Sequence, residues 1–292
     1  KLMMIRIKIQ QMHNLLNTTL NQIVEALNAE NIPSVLLKGQ GISQNYLSPE
    51  SRMCGDIDLY VGKENFLKAY EILGKIEGIQ MPETSECTSH ILAKLGEVVI
   101  ELHHKTCLLY GKKTNTSWEN WTHESIGAQM NAGTLPTWQN NGKAIELPSP
   151  TYNALYILHH AVRHMVTEGI GFRHVCDWVM FLYHHHQEID TELLAKKIEE
   201  YSMEVPWKEF AVMAHALLGL PTEYIPHYPT GYTAKTDILA GHIFESGNFG
   251  RYSDVHNRER VYRWYGLHQW SFGRRQPYQR STIGAFWQGN RH

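Results

Sequence analysis

The chain is poor in cysteine: 292 residues hold four thiols, Cys54, Cys87, Cys107 and Cys176, and no Cys-x-x-Cys pair. That spacing excludes zinc ribbons and dithiol redox motifs and points to a reduced protein. Long apolar runs are missing as well, since nothing approaches the roughly 18 consecutive apolar residues of a membrane span. Residues 1–9 have neither the apolar run nor the small-residue cleavage site of a signal peptide. A cytoplasmic location is therefore expected. No internal repeat and no low-complexity tract occurs. No charge of one sign dominates either, because the formal net charge is −2. The protein as a whole is thus no nucleic-acid glue. What is present is enough apolar sequence for a core, with 42% hydrophobic and 19% charged residues, which excludes a wholly disordered chain.

The even charge balance hides an asymmetry. Residues 256–292 hold seven Arg and one acid, a local charge of +6 that leaves −8 on the 255 residues before them. Eight aromatics, among them Trp264, Trp270 and Trp287, interleave with those arginines. Such a segment suits single-stranded nucleic acid, a membrane interface, or docking in cis on the acidic body.

Apolar residues recur at helical spacing over 5–31, and the Asn31-Ile32-Pro33 step ends that helix. Residues 34–38 read as a short buried strand, 39–41 as a turn, 42–47 as a short helix and 48–52 as a polar loop. Alternation over 55–61 predicts a strand, and 64–75 a helix. Residues 89–95 and 98–104 predict a hairpin around Gly96-Glu97. Residues 111–146 show no clear period and read as loops with one or two strands. Leu147-Pro-Ser-Pro150 is the best boundary. Beyond it the pattern is helical over 151–167, 173–187, 190–202 and 206–219, with a loop over 221–235 and a short helix over 238–244. The expected fold class is α+β: a mixed β-sheet with flanking helices over 1–147, a mainly helical domain over 148–255 that closes a cleft over the sheet, and the basic aromatic tail over 256–292.

The chemistry concentrates in Gly55-Asp56-Ile57-Asp58-Leu59. Side chains alternate across a strand, so Asp56 and Asp58 share one face while Ile57 and Leu59 take the other. Two carboxylates that close repel unless a cation lies between them. A hard divalent ion, Mg²⁺ or Mn²⁺, suits oxygen ligands of this kind. Glu101, in the apolar strand Val98-Val-Ile-Glu101-Leu-His103, supplies a third carboxylate if the two strands are neighbours. Three carboxylates of this sort can hold two ions that clamp a phosphoryl displacement. His103 shares a face with Glu101, either supporting the site or serving as a base for the acceptor. Arg173 and Asp177 are four apart on one helix, and Arg163 and Arg173 are candidates to line the cleft opposite the carboxylates. His160 and His164 have a metal-compatible spacing without a third ligand, and His184-His-His186 ends a predicted helix.

The segment Leu36-Leu-Lys38-Gly39-Gln-Gly41, then Tyr46-Leu-Ser-Pro49-Glu-Ser-Arg52-Met-Cys-Gly55-Asp56-Ile-Asp58, then Glu101-Leu-His103, resembles the uncharacterised bacterial nucleotidyltransferase family within the DNA polymerase beta-like superfamily. Lys38-Gly39 stands where the superfamily usually has Gly-Ser. The resemblance implies an enzyme in which Asp56 and Asp58 bind both metal ions and Glu101 joins the ion that activates the attacking group. It also implies that Lys38 and the backbone N–H groups of Gly39 and Gly41 meet the triphosphate of ATP or another NTP, with Arg52 neutralising phosphate charge. The acceptor is left open: a small molecule, a protein, a glycan precursor or RNA. Two other readings remain at this stage. One is a catalytically degenerate module that binds a nucleotide or a partner, motivated by Lys38-Gly39. The other is a toxin-like nucleotidyltransferase acting on RNA, motivated by the tail.

Overall fold

Leu16, Leu20, Ile23, Val24 and Leu27 recur every three or four residues, and they form the buried face of the first helix, α1 (Leu2–Ala29). The computed structural model describes residues 2–82, 89–109, 111–167, 169–232 and 236–246. They divide into two compact units between Ser149 and Pro150. The expected tail, 256–292, lies outside the described residues.

The first unit is built on a seven-stranded mixed sheet. Its strands are β1 (Val35–Leu36), β2 (Asp56–Tyr60), β3 (Ile79–Gln80), β4 (His90–Leu95), β5 (Val98–His103), β6 (Thr137–Asn140) and β7 (Lys143–Glu146). They lie in the order β3-β4-β5-β2-β1-β7-β6. The β2–β5 and β1–β7 pairs are parallel, and the other neighbours are antiparallel. One face of the sheet presents Ile57, Leu59, Ile91, Ala93, Val98, Ile100 and Leu102 to α1 and to α3 (Gly62–Lys75), and these residues form one core. The opposite face of β2, β4 and β5 carries the polar partners of the same alternation. The fold class is α+β, as expected.

Short elements shift by a few residues. The strand expected over 34–38 contracts to Val35–Leu36, and the short helix α2 sits at Gln40–Ser43, ahead of the predicted 42–47. The polar loop at 48–52 holds one 3₁₀ turn, Pro49–Ser51. The larger difference is in residues 111–146. Both possible strands are there, as β6 and β7, but so are α4 (Lys112–Thr122) and α5 (Ala128–Ala132), joined by a π-helical turn at His123–Gly127. These helices bury few large side chains, chiefly Trp118, Trp121, Ile126 and Met130. Their remaining surface is polar, so the helical period is faint. Trp118 stays buried because its Nε1–H donates to Thr106 Oγ1 at 3.0 Å. The β6–β7 hairpin turns on Asn141-Gly142, both at positive φ, the strongest short-range hairpin signal. Asn140 anchors it to α1 by donating to the Asn17 carbonyl at 2.9 Å and to Asn21 Oδ1 at 2.8 Å.

The second unit is helical: α6 (Pro150–Thr167), α7 (Arg173–His185), α8 (Thr191–Glu200), α9 (Glu204–Leu218) and α10 (Thr236–Ser246). Trp178 is its centre. The ring meets Trp207 edge-on at 5.1 Å, and its Nε1–H donates to the Ala154 carbonyl at 3.0 Å. Asp190 caps α8 by accepting from the Leu193 N–H at 2.9 Å.

The two faces of the sheet make opposite demands on their side chains. Ile57 is fully buried, whereas Leu92 is 48% exposed on the polar face. Ile57→Ala is expected to cost about 2–5 kcal/mol, through lost transfer energy and a cavity. Leu92→Ala is expected to cost less than about 1 kcal/mol. Urea unfolding of both variants checks the difference.

Candidate active site

The site begins with the pairing of β2 and β5. Their parallel register sets Asp58 beside Glu101 and Tyr60 beside His103. The antiparallel register of β4 then sets His90 beside His103. Asp56, Asp58, Glu101, His103 and His90 thus share the polar face of three adjacent strands. Lys38 arrives from the other side of β2. The Leu37 N–H donates to the Asp58 carbonyl at 3.0 Å, which holds the end of β1 against β2. The chain then turns at Gly39, where φ is +64° and a Cβ would lie 3.2 Å from the Asp56 carbonyl oxygen. Only glycine takes that turn at low cost.

Lys38 and His103 hold the carboxylates, with His90 near Glu101. Lys38 Nζ lies 2.7 Å from Asp58 Oδ1 and 4.0 Å from Asp56 Oδ2. His103 Nε2 lies 3.1 Å from Asp58 Oδ1 and 3.2 Å from Glu101 Oε2. His90 Nε2 is 3.9 Å from Glu101 Oε2. Burial opposes the charge on Lys38, but Asp58, Asp56 and Glu101 outweigh it and hold the ammonium above the ordinary lysine range. Burial likewise opposes a charge on His103, and the hydrogen bonds to Asp58 and Glu101 overcome it, so its pKa is pushed up to about 9. Burial pushes the Glu101 carboxyl up, yet the His103 hydrogen bond and the charge of Lys38 win and keep it well below the usual carboxylate range.

The donor set fits a hard divalent ion. One oxygen from each of Asp56, Asp58 and Glu101 can be chosen so that all lie within 4.8 Å of one another. Asp58 is fully buried, and its Oδ2 has no hydrogen-bond partner among the described residues. A buried carboxylate oxygen in that state is costly unless a cation meets it.

The other expected site residues are spread more widely. The Gly41 N–H donates to the Lys38 carbonyl at 3.3 Å, so it is used inside the turn. A Cβ at Gly41 would meet Leu147 Cδ2 at 2.8 Å, which gives this glycine a packing reason. Arg52 Nη1 donates to Cys54 Sγ at 2.9 Å. Arg163 on α6 and Arg173 on α7 belong to the second unit and are half-buried there. The rings of His160 and His164 meet at 4.4 Å, with His174 6.2 Å from each. Local periodicity does not mark His90, because its place beside His103 depends on the hairpin register. A cavity of about 170 Å³ lies at the C-terminal ends of β2 and β5, with Tyr60, Lys63, Lys105 and Trp118 among its lining residues, and no local sequence pattern marks it.

The family model described as "Uncharacterised nucleotidyltransferase" matches residues 2–219. No curated protein matches. Among solved structures, ANT(2")-Ia in complex with adenylyl-2"-tobramycin is 17% identical, with a TM-score of 0.40 over 63% of this chain and 92% of that one. An antigenic nucleotidyltransferase-like protein from Paracoccidioides brasiliensis is 18% identical, with a TM-score of 0.38 over 63% of this chain and 88% of that one.

The raised pKa of His103 has a consequence for stability. Its folded value, about 9, exceeds the ordinary 6.5. The stabilisation from its charged form is complete below pH 6.5 and is lost as pH rises through 9, about 3 kcal/mol at the limit. In chelator-treated protein the melting temperature is expected to fall between pH 7 and 9.5. His103→Gln should remove that step while lowering stability at pH 6.

Proposed function

This chain belongs to the uncharacterised nucleotidyltransferase family, and from that premise we propose that it moves a nucleoside monophosphate group from an NTP to an acceptor, releasing pyrophosphate. The observation that carries the reading is the convergence of Asp56, Asp58 and Glu101, with a buried oxygen of Asp58 left without a partner. In the reaction an acceptor oxygen forms a bond to the α-phosphorus. The bond from that phosphorus to the α–β bridging oxygen breaks, and the electron pair leaves on pyrophosphate. The acceptor proton passes to an ionised carboxylate or to solvent.

Mg²⁺ or Mn²⁺, held by Asp56, Asp58 and Glu101, would neutralise the phosphoryl oxygens and lower the pKa of the attacking hydroxyl. The protein's own groups do the rest by position and charge. Lys38 is close enough to Asp58 to exchange that carboxylate for a phosphate oxygen as the site fills. Gly39 lets the chain pass tightly over Asp56. His103 is charged at neutral pH, so its part is to hold Asp58 and Glu101 rather than to take the acceptor's proton. Arg52, Arg163 and Arg173 remain candidates for phosphate or acceptor contacts. The acceptor is a small molecule, protein, glycan precursor or RNA; the basic aromatic segment that motivates RNA lies outside the described residues.

A second reading has one observation in its favour. Lys38 already meets the charge of Asp58 through Oδ1. A module that binds nucleotide without turnover would keep it there. Calorimetry with NTP and Mg²⁺ beside a pyrophosphate assay separates the two, because binding without release favours the module.

The direct test uses each of the four α-³²P-labelled NTPs with Mg²⁺ or Mn²⁺ over a cell extract. Wild type is expected to label an acceptor. The Asp56→Ala/Asp58→Ala double variant should lose at least about 10²-fold of the label while keeping its fold. Label transfer retained in the double variant sinks the reading.

A further inference from the structure

One polar group on the sheet goes beyond the carboxylate triad. His90 and His103 are direct cross-strand neighbours on β4 and β5, and their ring centroids lie 4.7 Å apart. Glu101 precedes His103 by two residues and therefore shares its face. The Nε2 atoms of both imidazoles point toward the same oxygen, Glu101 Oε2, at 3.9 Å from His90 and 3.2 Å from His103. A donor atom from each of the three can be taken so that all lie within 4.8 Å of one another.

The outer contacts favour ligation. The Nδ1 of His103 lies 3.3 Å from the Lys105 carbonyl, which can only accept, so Nδ1 carries the hydrogen of that bond. In the metal-free protein the Nε2–H of His103 is shared between Asp58 Oδ1 and Glu101 Oε2, and an entering ion displaces that proton and takes the Nε2 lone pair. The Nδ1 of His90 is met by Ser89 Oγ at 3.1 Å, which fixes its Nε2 in the same direction. Metal-binding histidines are oriented in this manner, with the far ring nitrogen tied to a carbonyl, hydroxyl or carboxylate. Imidazole nitrogens select Zn²⁺ and its transition-metal neighbours, whereas Mg²⁺ prefers oxygen.

We propose that His90, Glu101 and His103 form a second, transition-metal site that binds Zn²⁺ through two imidazoles and one carboxylate, leaving a coordination position open. Glu101 belongs to both ligand sets, so an ion held here draws a carboxylate away from Asp56 and Asp58. Occupation of the site can be read without nucleotide.

The test titrates the full, chelator-treated chain with Co²⁺, a spectroscopic stand-in for Zn²⁺, and follows its visible absorption. Wild type is expected to give the intense band of a low-coordinate, nitrogen-bound ion, persisting in excess Mg²⁺ and displaced by Zn²⁺. His90→Gln should weaken binding about tenfold or more. Asp56→Asn should leave it within about twofold, since Asp56 is not a ligand. The His184–His186 run is intact in every variant, so its contribution cancels. Equal titrations for wild type and His90→Gln overturn the proposal, as does loss of the band in Asp56→Asn. Should His90→Gln not fold, imidazole ¹⁵N resonances of the wild type decide during a Zn²⁺ titration. Shifts of Nε2 in both His90 and His103 support the site, and unmoved resonances overturn it.

Discussion

Asp58 Oδ1 takes Lys38 Nζ at 2.7 Å and His103 Nε2 at 3.1 Å inside a sheet whose other face is aliphatic. A fully buried carboxylate is costly without such partners. Supplying them constrains the chain at three distant points. β1 must end beside β2 so that Lys38 reaches the strand. Gly39 must then turn the chain at positive φ past the Asp56 carbonyl. β5 must run parallel to β2 in the register that brings Glu101 and His103 alongside.

The same alternation that exposes these acids to one another anchors the strand. Ile57 and Leu59 are completely buried between Asp56, Asp58 and Tyr60 in sequence, and they face α1 and α3. The register of the acids is thereby fixed by the core on the other face, since a slip of one residue would exchange aliphatic and acidic side chains. With Lys38 and His103 charged, the cluster of Asp56, Asp58 and Glu101 still carries one excess negative charge. That excess and the unpartnered Asp58 Oδ2 are the physical reasons the group fits a divalent ion and a polyphosphate.

Much of this was legible in the sequence, and the limits have physical causes. Asp56 and Asp58 share a face by strand periodicity alone, so they were readable without a partner strand. Glu101 was readable only on the condition that β5 lies beside β2, a long-range pairing that local periodicity does not encode. His90 required the β4–β5 register as well. Lys38 was expected at a triphosphate, and in the free protein its nearest anion is Asp58, a relation that alternation cannot express. Gly41 was expected to offer its N–H to phosphate, and the turn itself uses that donor. The α4–α5 region was missed because Trp118, Trp121, Ile126 and Met130 are too few to mark a period in a polar stretch. The Asn141-Gly142 turn signal was present and marks the β6–β7 hairpin. The second unit's helices are legible from their apolar spacing: α7 and α9 bury broad stripes that include Trp178 and Trp207, and α8 a narrow one at Leu194 and Ile198.

The central claim is that the charge on Asp58 is met by Lys38 in the free protein and by a divalent ion in the working state. Anomalous diffraction from crystals grown with Mn²⁺ and a non-hydrolysable NTP analogue tests it most directly. The account predicts an anomalous peak within bonding distance of Asp56 and Asp58, with Lys38 Nζ moved from Asp58 to a phosphate oxygen. Lys38 still bonded to Asp58, with no peak between the carboxylates at saturating Mn²⁺, would contradict it.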